Sequence, residues 1–103
     1  YLLAWAEKIE KIGTLNYPSE ARGKLYGTAT IWVVLKKDGS LVTAELRRTS
    51  GQKVLDEAAL KIVQMGAPYS AIPQSVLGES DHLGFARRLN FTNSDSLLSS
   101  ASR

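Results

Sequence analysis

Alternation of apolar and polar residues marks two neighbouring β-strands in the first half of the chain. Within the segment 27–37, every second residue from 29 to 35 is apolar, which places these side chains on one face of a strand. That face consists of Ala29, Ile31, Val33 and Leu35. The inner face of the return strand, 41–48, consists of Val42, Ala44 and Leu46. Asp38-Gly39 lies between the strands and favours a tight turn, so the pattern predicts a β-hairpin with one buried face.

Two other segments have apolar residues at three- and four-residue spacing, the period of a helix that packs on one side. The first spans residues 1–12, and Gly13 is its predicted end. The second spans residues 53–65 and is ended by Gly66 and Pro68. The stripe of the first helix has two interpretations, core packing or a surface for a partner helix. Core packing is favoured because so small a domain needs every apolar stripe for its core.

The last third of the chain predicts one more strand and a tail. Residues 83–92 alternate, with Arg87 interrupting the apolar face. The long connection 67–82 is either functional or packed over the core. Residues 93–103 are rich in serine without a clear period, so we expect a disordered tail. The predicted fold is α+β: one domain, residues 1–92, with a three-stranded antiparallel sheet and two main helices packed on one face.

The predicted core lies between this sheet and the helices. We expect its members to be Ile31, Val33, Leu46, Leu55, Ala59, Ile62 and Phe85.

Composition and charge leave several partner classes open. The chain has 103 residues, a net charge of +3 and no cysteine. Mild basicity is compatible with nucleic acid, acidic peptides, cell-wall polymers or an ordinary solvated surface, and the last is favoured. Basic doublets lie on or beside the predicted strands, where charge also protects sheet edges. An RNA-binding sheet would combine them with exposed aromatic residues, and only Trp32 is available, so we expect no nucleic-acid partner. The doublets are Lys36-Lys37, Arg47-Arg48 and Arg87-Arg88.

No catalytic constellation is visible in the sequence. His82 is the only histidine, which makes a zinc site improbable in a chain without cysteine. No serine sits in a nucleophile elbow, and Asp56-Glu57 are adjacent helical positions that cannot face each other across a substrate. We therefore expect no enzyme activity, no catalytic residue, no metal and no cofactor. The chain begins without methionine inside a predicted helix, so we expect a fragment whose anchor lies upstream.

Short motifs follow one another along the chain in a specific order and spacing. They are Tyr17-Pro18, Gly27-Thr28-Ala29-Thr30-Ile31 with Asp38-Gly39, Ser50-Gly51 with Leu55-Asp56 and Ala58-Ala59-Leu60, Ala67-Pro68-Tyr69 with Pro73, and Arg87 with Phe91. Together they resemble the C-terminal domain of TonB-type energy transducers over most of the chain. The leading segment 5–13 is similar to a subgroup with an extra N-terminal helix. Leu89 departs from that subgroup, which often has tryptophan there.

The resemblance implies a periplasmic domain of an inner-membrane-anchored protein. Such a domain binds the TonB box of TonB-dependent outer-membrane receptors and couples the proton-motive force to import of substrates such as siderophores, haem or vitamins. An ExbB/ExbD-type motor would act through an N-terminal segment that this chain lacks. Two alternatives remain open: a TolA-like envelope-integrity domain and a structural adaptor without energy transduction. Weak self-association also remains open.

The resemblance also implies where a partner binds. A three-stranded sheet has an unpaired edge, and an extended peptide can add a strand there. We expect this edge to be the last strand, with 16–18 close to the docked peptide and Arg87 and Arg88 attracting an acidic residue. The expected partner-binding residues are Asn16, Tyr17, Pro18, Phe85, Ala86, Arg87, Arg88, Leu89, Asn90 and Phe91.

Overall fold

Two main helices cover one face of a four-stranded antiparallel sheet. The structure is a computed structural model that describes residues 1–101. Along the chain, the elements are α1 (Leu2–Leu15), β1 (Gly27–Lys36), β2 (Leu41–Arg48), α2 (Lys53–Gly66), α3 (Gln74–Leu77), β3 (His82–Phe91) and β4 (Leu97–Ala101). The strand order is β2-β1-β3-β4, so β2 and β4 are the two edges. The α+β class with an antiparallel sheet is confirmed.

The predicted hairpin joins β1 and β2. The Lys36 N–H donates to the Ser40 carbonyl at 2.9 Å, and the Gly39 N–H donates to the Lys36 carbonyl at 2.9 Å. Gly39 has a φ of 92°, and a Cβ atom there would lie 1.9 Å from the Tyr69 carbonyl oxygen. The turn therefore requires glycine both for its backbone conformation and for its close contact with the α2–β3 connection.

The core lies between the sheet and the helices, as the alternation predicts. Every second residue of β1 from Ala29 to Leu35 is fully buried, and the Trp5 ring of α1 packs edge-on against Phe85 of β3 at 4.9 Å. The predicted core position of Leu46 is wrong, because 39% of Leu46 is exposed. Leu46 lies on the edge strand β2, where α2 but not α1 packs closely. The other predicted core residues, Ile31, Val33, Leu55, Ala59, Ile62 and Phe85, are buried.

The prediction of a three-stranded sheet is wrong, because β4 adds a fourth strand. Part of the segment 93–103, which we expected to be disordered, turns back and pairs with residues 87–91 of β3. The Thr92 N–H donates to the Ser96 carbonyl at 2.9 Å, and Asp95 closes the turn with a φ of 57°. Leu97 is 1% exposed. The burial of this one apolar side chain stabilises β4, although the segment around it is rich in serine.

Helix α1 continues beyond its predicted end at residue 12 and reaches Leu15. Gly13 stays helical and faces β4, where a Cβ atom would lie 2.1 Å from Leu97 Cδ2 and 2.8 Å from Leu97 Cβ. The glycine that we interpreted as a helix stop is therefore a packing position, because only glycine leaves room for the Leu97 side chain.

The connection between α2 and β3 packs over the core, which decides between the two interpretations of its length. Tyr69 and Ile72 are buried, and their N–H groups donate to the carbonyls of Gly39 and Lys37, each at 2.8 Å. The Tyr69 hydroxyl donates to the Val63 carbonyl of α2. Burial raises the pKa of this phenol. The connection thereby ties the hairpin turn to α2.

Candidate functional site

The candidate residues on β3 divide between the two faces of the sheet. Ala86, Arg88 and Asn90 pair with Trp32, Thr30 and Thr28 of β1 and lie on the face opposite the helices, which we call the open face. The alternate residues point toward the helices. Of these, three are buried and cannot touch a partner while the domain is folded: Phe85, Leu89 and Phe91.

Arg87 and Arg88 do not form the expected cationic pair, because neighbouring residues of a strand point to opposite faces. Arg87 lies on the helix side, where its Nε donates to Ser99 Oγ at 3.0 Å. Burial lowers the pKa of the Arg87 guanidinium, and the nearby Glu10 carboxylate opposes this shift. Arg88 is exposed on the open face. Of the two residues Arg87 and Arg88, Arg88 is therefore the one that is available to an external acidic group.

Tyr17 lies beside the end of β3, and its side chain belongs to the core. Its ring packs edge-on against Phe91 at 5.6 Å, and its hydroxyl donates to the Leu25 carbonyl at 3.0 Å. Burial raises the pKa of the Tyr17 phenol, with a smaller contribution from Asp95. Asn16 is exposed and its Nδ2 donates to the Ile12 carbonyl at the end of α1, while Pro18 is half-buried.

The expected free edge of β3 is occupied over residues 87–91, where β4 pairs with it. Along antiparallel strands, residue pairs that exchange backbone hydrogen bonds alternate with pairs that do not. Because Thr92 and Ser96 are a bonded pair, every second pair beyond them is bonded as well. Leu98 and Ser100 therefore direct their backbone polar groups toward β3. The Asn90 side chain adds a bond from Nδ2 to the Leu98 carbonyl at 3.1 Å. Within the described residues 1–101, the other half of β3, 82–86, has a partner strand only on its β1 side.

Side chains of α1 cover the outer edge of β4. The Leu97 N–H donates to Thr14 Oγ1 at 3.1 Å, and the Ser99 N–H donates to Glu10 Oε2 at 2.8 Å. These two N–H groups point away from β3 and would otherwise be free to pair with another strand. We call this arrangement of α1 and β4 the α1–β4 clamp. Its residues are Glu10, Gly13, Thr14, Leu97 and Ser99.

The clamp was not predicted, although the sequence contains two indications of it. The turn-forming run Asn93-Ser94-Asp95 precedes Leu97-Leu98, which is typical of a hairpin. Gly13 also lies inside an apolar helical pattern rather than after it, because Leu15 continues the helix. The serine-rich composition outweighed both signals.

The part of the chain that the structure describes contains no cluster of metal-ligating side chains. No group of three or more His, Cys, Asp or Glu side chains there could hold a metal ion. His82 Nδ1 lies 2.8 Å from Asp81 Oδ1 at the surface, and this contact lowers the pKa of the Asp81 carboxyl. No helix among residues 1–101 has the length and apolar character needed to cross a membrane.

The fold is an α+β domain with an antiparallel sheet, in which β4 pairs with residues 87–91 of β3. Residues 14–92 match the family model of the Gram-negative bacterial TonB protein C-terminal, and the chain therefore belongs to this family of non-enzymatic interaction domains. Searches of curated proteins and of solved structures gave no match. Strand β4 and all of α1 except Thr14 and Leu15 lie outside the matched residues.

Proposed function

We propose that this chain is the receptor-binding domain of a TonB-type energy transducer. A TonB-box segment of an outer-membrane receptor adds to β3 as an extended strand and takes the place of β4. The observation that carries this proposal is the pairing of β3 with β4, a strand of only five residues. A strand edge that accepts a short, serine-containing segment through backbone bonds can accept a peptide of similar length by the same bonds.

The register supports a peptide longer than β4. Residues 82–86 of β3 have no second partner strand within the described part of the chain, whereas residues 87–91 pair with β4. A receptor segment that spans both halves would form more backbone hydrogen bonds with β3 than β4 does. This difference provides the free energy for exchange, because each additional bond contributes about 1 kcal/mol.

Family membership extends the proposal to the rest of the system. The domain works in the periplasm, tethered to the inner membrane by a segment outside this chain, through which an ExbB/ExbD-type motor transmits the proton-motive force. Import of substrates such as siderophores, haem or vitamins follows from pulling on the docked receptor. The match to a TonB model favours this function over the TolA-like alternative.

An NMR titration of the domain with a synthetic TonB-box peptide tests the proposal. We expect the largest amide shifts along residues 82–91, together with loss of the β3–β4 contacts between Asn90 and Leu98. Amides near Tyr17 should shift less, because its ring is buried against Phe91. Shifts confined to α2 or to β2, with β4 still paired, would show that the peptide does not bind at β3.

A further inference from the structure

A groove on the open face is lined by three arginines from two strands that are not neighbours. Arg47 and Arg48 belong to β2 and Arg88 belongs to β3, with β1 between them. The groove has a volume of about 690 Å³. Its floor contains Thr28 and Thr30 of β1 and Asn90 of β3.

A β-bulge directs both β2 arginines into this groove. Thr30 pairs with Arg48 while Ile31 pairs with Leu46, so Arg47 is an extra residue in β2. In a regular strand, consecutive side chains would point to opposite faces. The bulge cancels this alternation, and both guanidinium groups line the same concave surface.

Two contacts within the protein shape the groove. The Arg47 guanidinium lies over the Trp32 ring, 4.6 Å from its centroid. This stacking holds one cation in place and covers one face of the aromatic ring. On the floor, Thr28 Oγ1 donates to Asn90 Oδ1 at 2.8 Å.

No carboxylate neutralises these arginines in the part of the chain that the structure describes. The ion pairs among residues 1–101 are Lys53–Glu57 and Asp81–His82, and neither touches the groove. Glu45, which pairs with Trp32 in the sheet, is not within ion-pair distance of an arginine. Three like charges around one concavity repel each other, and a bound anion would remove this cost.

The geometry points to a second interaction surface: the open-face groove binds an acidic peptide segment of a partner protein through Arg47, Arg48 and Arg88. Each guanidinium can hold a carboxylate through two parallel hydrogen bonds. The Asn90 amide on the floor already bonds to Thr28 and to β4, so the arginines provide the contacts to the peptide. This surface is a face of the sheet and not its edge, so the inference does not depend on strand addition at β3.

An acidic peptide fits the groove better than other polyanions. A nucleic acid needs free aromatic faces for base stacking, but none of the described residues that line the groove is aromatic, and Arg47 covers a face of the adjacent Trp32. An anionic membrane is attracted to clustered basic residues on a surface that can lie against it, whereas these arginines surround a concavity. A narrow acidic chain can enter such a concavity.

The test uses an acetylated, amidated hexapeptide of alternating Asp and Glu, with an Asn/Gln hexapeptide as its neutral counterpart. We expect amide shifts at Thr28, Thr30, Arg47, Arg88 and Asn90 with the acidic peptide only. Replacing all three arginines by glutamine should weaken binding at least about tenfold, and each single replacement about threefold. Binding should weaken as NaCl is added, because the arginines are solvent-accessible.

A charge-matched control separates the groove from general attraction. The triple variant Lys11→Gln, Lys53→Gln and Lys61→Gln removes the same charge from the helices and should leave the affinity within about twofold. An equal loss in both triple variants would overturn the inference, as would shifts on the helices. Binding of inorganic polyphosphate or of phosphatidylglycerol vesicles, where the hexapeptide does not bind, would also overturn it. Native amide dispersion must persist in the arginine variant; if it does not, the single variants decide.

Discussion

The two edges of the sheet are protected in different ways. At the β4 edge, α1 supplies a hydroxyl and a carboxylate to the outward N–H groups of Leu97 and Ser99. At the β2 edge, two register shifts interrupt the pairing with β1, and about half of the Val42 side chain is exposed. Bulges and charged residues discourage strand pairing without closing the edge, whereas the α1–β4 clamp closes it.

Under the proposed function, a peptide that pairs with residues 87–91 must first displace β4. Burial of Leu97 and two hydrogen bonds together hold β4 by about 3 kcal/mol. A ligand that must displace β4 then binds about a hundredfold more weakly than its contacts with β3 would allow. Nearly all of the clamp lies outside residues 14–92, the part of the chain that matches the family model. The barrier to displacing β4 therefore comes from segments outside that part. If the proposed exchange is correct, a weaker clamp should raise the affinity for the peptide.

The largest predicted effect distinguishes the two leucines of β4. Leu97 is 1% exposed and Leu98 is 52% exposed. Leu97→Ala should lower the free energy of unfolding by about 2–5 kcal/mol, because it leaves a cavity beneath α1. Leu98→Ala, its matched control, should change it by less than about 0.5 kcal/mol. Urea denaturation measures both. Equal effects would contradict the register of β4 and with it the clamp.

A smaller effect is expected at Gly13, where helix propensity and packing oppose each other. Gly13→Ala should gain about 1 kcal/mol in helix propensity but lose about 1–3 kcal/mol through overlap with Leu97. In a Leu97→Ala background the overlap with Cδ2 is removed and only the 2.8 Å approach to Cβ remains, so the same substitution should be about 1–2 kcal/mol more favourable than in the native background. Denaturation of the four proteins of this double-mutant cycle measures the coupling. Simple additivity would mean that Gly13 and Leu97 do not touch.

The smallest effect concerns the outward N–H groups of β4. Thr14→Val keeps the shape of the side chain but removes the acceptor for the Leu97 N–H, which should cost about 1 kcal/mol. Hydrogen exchange at Leu97 and Ser99 should accelerate, while exchange along β2 stays unchanged. Thr43→Val, on the opposite edge strand, is the control. Unchanged exchange at Leu97 would show that Thr14 does not protect this edge.

Local patterns predicted most of the fold. Three elements could be predicted because residues close together in the sequence determine them. They are the alternation along β1, the Asp38-Gly39 turn and the apolar stripe of α2. Leu46 was misplaced because alternation gives the face of a strand but not how far the helices extend across the sheet. The fourth strand escaped because its stability comes from Gly13 and Glu10, more than eighty residues away in sequence.

The candidate site was predicted less well than the fold. Alternation predicted that β3 is a strand, but the state of its edge depends on β4 and α1. Arg87 and Arg88 were treated as one charge cluster, although strand geometry separates them. Arg47 and Arg48 would be separated by the same rule, and only a bulge, which depends on pairing with β1, brings them together. Local periodicity contains no information about such pairing.

Exchange between β4 and a docked peptide is the central claim, and a reversible cross-link tests it directly. Asn90 and Leu98 face each other across β3 and β4, and the chain has no native cysteine. Directly paired antiparallel residues are close enough for a disulfide, so the variant Asn90→Cys with Leu98→Cys should lock β4 in place on oxidation. Val34→Cys with Thr43→Cys provides a matched lock between β1 and β2, away from the β3 edge.

The measurement is the affinity of each variant for a synthetic TonB-box peptide, oxidised and then reduced, by isothermal titration calorimetry. Oxidation of the β3–β4 lock should abolish binding, because β4 can no longer leave residues 87–91. Reduction should restore binding, and the β1–β2 lock should bind equally in both states. Equal affinity of the β3–β4 lock in its oxidised and reduced forms would contradict exchange with β4.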